Sequence, residues 1–324
     1  MKYGLLTYDE NRKSFNVGDY IQSLAARQFL PQVDEYVNRE SLGEYSGGPT
    51  KLIMNGWFTH NASGWVPSRD IEPKFVSFHV NNTAAPLMLS PQGIAYLKQH
   101  QPIGCRDQFT VDLLQGVGVE AYFSGCLTLT LDNYRVSDAA RTDDIYIVDP
   151  LYGYTTWNKV TYSPRRFVRS VVDGKILTIG RRRRHLEKLL DPQLRERAQW
   201  IEQEPPAQTY TDGEKFEMAE GLLNRYAKAK LVITSRIHCA LPCLALGTPV
   251  VFVNGFESEV DSCRFGGIHE LFNRIDMNVK TGHYTSTFGL EGKVTEDTVM
   301  ENPPDFRMLV GPMKQTCSSF LSDS

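Results

Sequence analysis

Short apolar runs alternate along this chain with polar loops and with segments whose apolar positions recur every three or four residues. The runs Tyr3–Thr7, Lys51–Met54, Phe75–Phe78, Ile103–Cys105, Ile145–Val148, Leu231–Ile233 and Pro249–Val253 read as buried strands. Ala121–Leu131 is rich in strand formers, and Lys175–Ile179 reads as a further strand. Between them the helical spacing returns. A helix is expected over roughly 20–30, with Asp19 as its N-cap, Gln22 three residues on, and Pro31 closing it. Ser90 and Pro91 open another, and Arg106-Asp107 stand where the next begins, ending near Gly116 or Gly118. Thr211 and Glu214 have capping-box spacing ahead of Phe216, Ala219, Leu223 and Tyr226. Ala240–Leu246 makes a short helix stopped by Gly247. Strands separated by helices imply an α/β fold with mainly parallel sheets covered on both faces.

A polar stretch without periodicity, Asp132–Asp144, interrupts the alternation. It divides the chain into an N-terminal part, 1–135, and a C-terminal part, 136–324. A length of 324 residues suits two such domains of about 150 each. The tail after Gly311 is left open between a crossing helix, a strap and a frayed end. Formal charge is 35 − 38 = −3, which gives no overall attraction to nucleic acid. No apolar run is long enough for a membrane span, and Met1–Leu6 looks like a first strand rather than an export signal. The expected location is the cytoplasm, with at most peripheral membrane contact at its inner face through Arg181–Arg184. Six cysteines without an export signal read as free buried thiols rather than disulfides or a metal site.

In open parallel sheets, ligands bind beyond the carboxyl ends of strands, where helix N-termini favour anions. Asn16, Asp19, His60, His79, Arg106, Arg236 and His238 fall at such places. Arg236 and His238 are the sharpest pair. On a strand-like backbone they point to one side, joining a rigid anion-binding fork to a group that exchanges protons near neutral pH. The alternative is a surface ion pair and a helix cap. His79 either faces the same cleft or is a satisfied polar histidine. Arg106 either binds an anion or pairs with Asp107, and Asp19 is either a base or only a cap. His60, after Trp57, either lines a sugar site or meets solvent, and His269 beside Gly266-Gly267 is a candidate for an acceptor pocket. P-loop, GxGxxG, HExxH and GxSxG motifs are absent.

The stretches Asn16–Ala25, Phe75–His79, Ile103–Asp107, Ser124–Thr130 and Thr234–Pro249 (TSRIHCALPCLALGTP) resemble the polysaccharide pyruvyl transferase family. The resemblance covers most of the chain up to about residue 255. It implies a fold similar to the glycosyltransferase B type, with two Rossmann-like domains facing across a cleft, the N-terminal one on the acceptor side and the C-terminal one on the donor side. It implies transfer of the enolpyruvyl unit of phosphoenolpyruvate onto two hydroxyls of one sugar, giving a pyruvate ketal in polysaccharide biosynthesis. No metal or other cofactor is called for, since phosphoenolpyruvate is a co-substrate. The acceptor is a saccharide, lipid-linked or free. By position, Arg236 and His238 match the family's donor-binding arginine and functional histidine, and His79 a second cleft histidine. The resulting assignment is His238, His79 and Asp19 as catalytic, Arg236 and Arg106 as donor-binding, and Asn16, His60 and His269 as acceptor-binding. The alternatives are a sugar-nucleotide glycosyltransferase of the same architecture and a non-catalytic carbohydrate-binding protein.

Overall fold

The computed structural model describes residues 1–8, 14–161, 163–205, 210–256, 265–298 and 301–322. Twelve strands among these form two six-stranded sheets. The first holds β1 (Lys2–Thr7), β2 (Glu35–Asn38), β3 (Thr50–Phe58), β4 (Ile71–Val80), β5 (Ile103–Cys105) and β6 (Ala121–Phe123) in the order 2-1-3-4-5-6, all parallel. The second holds β7 (Ile145–Val148), β8 (Gln199–Ile201), β9 (Leu231–Thr234), β10 (Val250–Asn254), β11 (Asn273–Met277) and β12 (Tyr284–Ser286). Its order is 8-7-9-10-11-12, parallel except for the last pair. Numbered within itself, the second sheet also runs 2-1-3-4-5-6. Both are therefore doubly wound in the flavodoxin-like order rather than the 3-2-1-4-5-6 order of a dinucleotide fold. Each sheet reverses direction between its first and third strands. The α/β expectation holds, with this strand order as its refinement.

Among the described residues, the helices of eight or more residues are α1 (Val17–Arg27), α2 (Pro91–Gln99), α3 (Gln108–Gly116), α4 (Pro164–Val172), α5 (Arg181–Leu189), α6 (Asp212–Lys228), α7 (Ile237–Leu246) and α8 (Arg307–Ser322). Several differ from the pattern reading for local reasons. Asn16, not Asp19, caps α1, because its side chain accepts from the Gly18 amide at 3.0 Å. Asp19 is drawn inside the first turn. After Phe123 the chain turns through a 3-10 helix, Leu127–Thr130, instead of extending the strand. Thr130 Oγ1 there bonds the Leu127 carbonyl at 2.7 Å, a local bond that competes with a ladder. Lys175–Thr178 is likewise a 3-10 turn, entered through Gly174 at φ 67°. The capping box of Thr211 and Glu214 is present in both directions, and Gly247 closes α7 at φ 71°.

An apolar seam joins the halves. Tyr20 on α1 meets Phe216 on α6 edge to face at 5.0 Å, and its hydroxyl donates to Asp212 Oδ1 at 2.9 Å. A continuous core runs from Leu5 and Ile21 to Tyr226 and Leu241, while a smaller one covers the far face of the second sheet around Ile147, Ile233 and Val253. The tail forms α8, which returns to the first sheet although a division at 135 and 136 groups it with the second. There it buries Met313, Cys317 and Phe320, and Lys51 Nζ donates to the Phe320 carbonyl at 2.8 Å. Cys105, Cys126, Cys239, Cys243 and Cys317 are free and buried, and Cys263 lies outside the described residues.

The docking of α8 separates a core contribution from a surface one. Met313 is 2% exposed, whereas Lys314 beside it makes an exposed ion pair with Asp132 at 2.7 Å. Met313→Ala should lower unfolding stability by about 2–5 kcal/mol and Lys314→Ala by about 1 kcal/mol or less, read from urea midpoints. Equal losses would show that α8 does not depend on its apolar face.

Candidate functional site

The two reversal points of the sheets meet at one cavity of about 230 Å³. From the first sheet it is lined by Asn16 and Asp19 after β1, Trp57 and His60 around the end of β3, and Arg106 after β5. The second sheet contributes Tyr152 after β7, Gln203 and Glu204 after β8, and Arg236, Ile237 and His238 after β9.

Two helix starts bring these sets together. Asn16 caps α1, and Arg236 occupies the cap position of α7, so His238 sits in the first helical turn. The strand-like backbone expected for Arg236 to His238 is thus replaced by a strand-to-helix turn, yet both residues still line the cavity. The helices approach closely because residue 18 is glycine. A Cβ there would lie 3.0 Å from both His238 Cβ and Asn16 Oδ1. The Val17 amide donates to the Gln203 carbonyl at 2.9 Å, which ties the loop after β8 to the start of α1. Both helix starts carry partial positive charge, so their convergence favours an anion.

Arg236 is held in place on three sides. Its Nε donates to Asp149 Oδ2 at 2.9 Å and its Nη1 to Glu204 Oε1 at 2.8 Å, while its Cζ lies 3.8 Å from the Tyr152 ring centroid. Nη2 has no hydrogen-bond partner among the described residues. Burial disfavours the guanidinium charge, but Glu204 and Asp149 outweigh it and raise the pKa above the ordinary arginine value. Asp149 adopts φ 43°, left-handed for a non-glycine residue, and its Oδ2 also accepts from the Gln203 amide at 2.9 Å. Such backbone strain persists where surrounding bonds over-determine it. Gln203 is fully buried, donates Nε2 to the Tyr226 hydroxyl at 3.1 Å, and leaves Oε1 without a partner among the described residues.

Beneath the first-sheet side lies a buried charge network. Arg39, 2% exposed, donates Nε to Glu40 Oε1 at 2.7 Å, holds Nη2 in an ion pair 2.6 Å from the same oxygen, and places Nη1 3.8 Å from Asp19 Oδ2. Its guanidinium lies over Tyr8 and Trp57, at 4.5 and 5.1 Å. The other oxygen of Glu40 accepts from Thr59 Oγ1 at 2.6 Å and from the amides of His60 and Asn61 at 2.9 and 2.7 Å. That triple bond pattern fixes the loop carrying His60, whose ring rests 4.2 Å from Trp57. Burial works against the Glu40 charge, and Arg39, Thr59 and Asn61 together still lower its pKa. Asp19 behaves oppositely. Burial pushes its carboxyl above the usual range against the pull of Arg39 and Arg106, and its Oδ1 accepts from Gln22 Nε2 at 2.9 Å. It is a cavity-lining carboxyl biased toward its protonated form.

His79 and His269 are placed elsewhere. His79 is 2% exposed behind Arg106, with Nδ1 at 2.6 Å from Asp107 Oδ2 and 3.1 Å from Thr110 Oγ1. Asp107 caps α3 through the Thr110 amide, and the same Oδ2 lies 3.6 Å from Arg106 Nε. His79 does not itself line the cavity, and Asp107 stands between it and Arg106. His269 stacks on Phe265 at 4.8 Å, and burial, with Arg274, lowers its pKa to about 4. It does not line the cavity. Asn16, Asp19, His60, Arg106, Arg236 and His238 are the candidates gathered there. Asp149, Tyr152, Gln203, Glu204 and Arg39 were outside the pattern reading. An acid directly after a buried strand, Val148-Asp149, is the one signal that marks any of them.

Comparison with known proteins bears on this arrangement. The family model described as polysaccharide pyruvyl transferase matches residues 16–255, which is 240 of the 324 residues. Among curated proteins none matches. A solved structure of a functionally uncharacterized protein from Klebsiella pneumoniae subsp. pneumoniae NTUH-K2044 is similar at 13% identity, covering 81% of this chain and 87% of that one, with a TM-score of 0.39.

The raised pKa of Asp19 has a sign that can be checked. Ionising this carboxyl costs more in the fold than in the unfolded chain, so its unfavourable term grows as pH rises through the folded pKa and vanishes below the unfolded one. Asp19→Asn, which keeps the oxygen that Gln22 bonds, should gain stability over the native protein toward alkaline pH. The gap should close on acidification in denaturant titrations. A variant less stable at every pH would show that the Arg39 attraction dominates instead.

Proposed function

The chain belongs to the polysaccharide pyruvyl transferase family, and from that premise we propose that it forms a pyruvate ketal on a sugar, with phosphoenolpyruvate as donor bound at the cavity between the two sheets. The observation that carries this reading is the convergence of two helix starts and the arginines Arg236 and Arg106 on a cavity of about 230 Å³. A site of that size suits a small anion. Drug-sized ligands occupy roughly 300–1,000 Å³, which disfavours a nucleoside-diphosphate sugar as donor. Two sheets opening on a shared cleft agree with a glycosyltransferase-B-like arrangement.

The roles follow from position. Arg236, oriented by Asp149 and Glu204, offers Nη2 to the phosphate or carboxylate, and Arg106 supplies a second positive charge. The helix starts stabilise negative charge on the departing phosphate. His238 gives a proton to the methylene carbon, which becomes the methyl group, and C2 turns electrophilic. One sugar hydroxyl bonds to C2, the C2–O bond to phosphate breaks, and the second hydroxyl closes the ring. Of the two hydroxyl protons, one replaces that given by His238 and the other leaves on phosphate. Asp19 relays the hydroxyl proton, since burial biases it toward holding one. Asn16 and His60, on the first-sheet wall, face the acceptor. His79 acts as a positioning residue for Arg106 through Asp107, and no role is given to His269. No step calls on a metal or cofactor.

Phosphate release from phosphoenolpyruvate, with galactosyl, mannosyl and glucosyl acceptors and mass analysis of products, tests the reaction. Acceptor-dependent release with a pyruvylated sugar is expected. His238→Ala should lower kcat by about 10²–10⁴-fold with the fold intact. Asp149→Asn, which weakens the orientation of Arg236, should mainly raise KM for phosphoenolpyruvate, by about tenfold. Full turnover in His238→Ala would remove that residue from the chemistry. Binding of a nucleotide sugar in place of phosphoenolpyruvate would move the reading to glycosyl transfer.

A further inference from the structure

Between β7 and β8, beyond Asp149 and Tyr152, the chain makes an excursion that no part of the proposed chemistry uses. Residues 163–189 hold nine Lys and Arg against two acids, Asp173 and Glu187, in a chain whose net charge is −3. The same segment holds Phe167, Val168, Val171, Val172 and Leu177, five of the twelve large apolar side chains that stand exposed among the described residues. Trp157 and Trp200, 57% and 49% exposed, flank it.

These side chains are ordered, not scattered. Helix α4 starts at the Ser163 cap with Pro164 in its first turn, and none of its residues is buried. At 100° per residue, Phe167, Val168, Val171 and Val172 span about 140° of its circumference, and Arg165, Arg166 and Arg169 occupy the other side. A soluble helix with such a division normally turns its apolar face to the core. Here Val172 is 79% and Val168 61% exposed, so none of the described residues covers that face. Arg181, Arg183 and Arg184 of α5 add charge alongside. A cavity of about 820 Å³, lined by Trp157, Leu186, Trp200 and the arginines 182, 183 and 195, adjoins the excursion.

We infer that this excursion is an interfacial membrane-binding element, with α4 lying in the plane of an anionic bilayer. Phe167, Val168, Val171, Val172 and Leu177 enter the headgroup–acyl boundary, Trp157 sits at headgroup level, and the arginines meet lipid phosphates. An apolar face beside concentrated positive charge is the pattern of in-plane amphipathic helices. Tryptophan is enriched at that depth, and juxtamembrane basic clusters attract anionic lipid. A nucleic acid would use the charge but leave the valine face in water. A second copy of the chain would bring equal positive charge against it. The inference rests on this surface alone and not on the donor proposed above.

Co-sedimentation of the full chain with vesicles tests it. Phosphatidylglycerol–phosphatidylcholine vesicles should retain the protein at least about tenfold better than phosphatidylcholine alone. Val168→Asp with Val172→Asp should abolish retention without shifting the thermal midpoint, since both positions are exposed. Arg181→Gln, Arg183→Gln and Arg184→Gln together should weaken retention and flatten its salt dependence. On the native protein, vesicles should blue-shift tryptophan emission, and Trp157→Phe should remove most of that shift. No retention on anionic vesicles, native-like retention by the double aspartate variant, or no emission shift would each overturn the inference. So would light scattering that finds an oligomer which the aspartate pair dissociates. Phosphate release with a water-soluble acceptor should be unchanged in the aspartate variant, so failure of the membrane reading and of the donor reading are separately visible.

Discussion

Gly18 against His238 is the contact on which the site depends. Each sheet, taken alone, opens a crevice at its own reversal point, between β1 and β3 or between β7 and β9. Neither crevice has the full set of charged groups. They merge because α1 and α7 meet end to end, at a separation that a side chain on residue 18 would oppose. The bond from the Val17 amide to the Gln203 carbonyl fixes the same junction from the loop side, and the Tyr20–Phe216 contact holds it from the core side. Backbone dipoles, which need no side chain to act, thereby converge on one small volume. The anion preference of the cavity follows from backbone placement before any arginine is counted.

The side chains then adjust that preference by opposing burial with pairing. Arg39 with Glu40, Arg106 with Asp107, and Arg236 with Asp149 and Glu204 are each charges withdrawn from water against a partner carboxylate. Pairing of this kind contributes little net stability, because desolvation cancels most of the attraction. What it does is immobilise guanidinium groups at chosen places. Asp19 is the exception in the network, since its nearest guanidinium nitrogen stands off at 3.8 Å and burial prevails. Asp19 is thus the cavity carboxyl whose proton affinity is set by burial more than by pairing.

Much of this was legible in the residues, and the failures have physical causes. Contiguous apolar runs marked β3, β4, β7, β9 and β10, because parallel strands are buried on both faces. The capping box at Thr211 and the glycine stop at 247 are local chemistry and were read correctly. Asn16 displaced Asp19 as cap of α1: both are good caps three residues apart, and in the fold Asn16 takes the Gly18 amide while Asp19 turns to Gln22 and Arg39. Short edge strands such as Gln199–Ile201 and Tyr284–Ser286 carry no apolar run and went unread. Arg236 and His238 were found from their place after β9, although a helix start rather than a strand presents them. Asp149 and Glu204 were missed because their importance lies in reaching Arg236 across 87 and 32 residues. Sequence spacing holds no trace of such a contact.

The connection from β7 to β8 links the cavity to the exposed excursion. It begins with Asp149 and Tyr152, which hold Arg236, and leads back into β8, beyond which the Gln203 amide donates to Asp149 and Glu204 accepts from Arg236. Everything between leaves the sheet and returns. The neck of the loop is tied at two points, where Arg182 Nε donates to the Pro150 carbonyl at 2.8 Å and the Tyr154 hydroxyl meets His185 Nδ1 at 3.0 Å. Arg182 and His185 belong to α5, the basic helix of the excursion. A force on α5 therefore falls first on Pro150 and Tyr154, one and five residues from the strained Asp149. Whatever surface the excursion rests on is mechanically close to the carboxylate that orients the donor-side arginine. The two sheets share one strand order, and this insertion, with the antiparallel last strand, is where the second departs from the first.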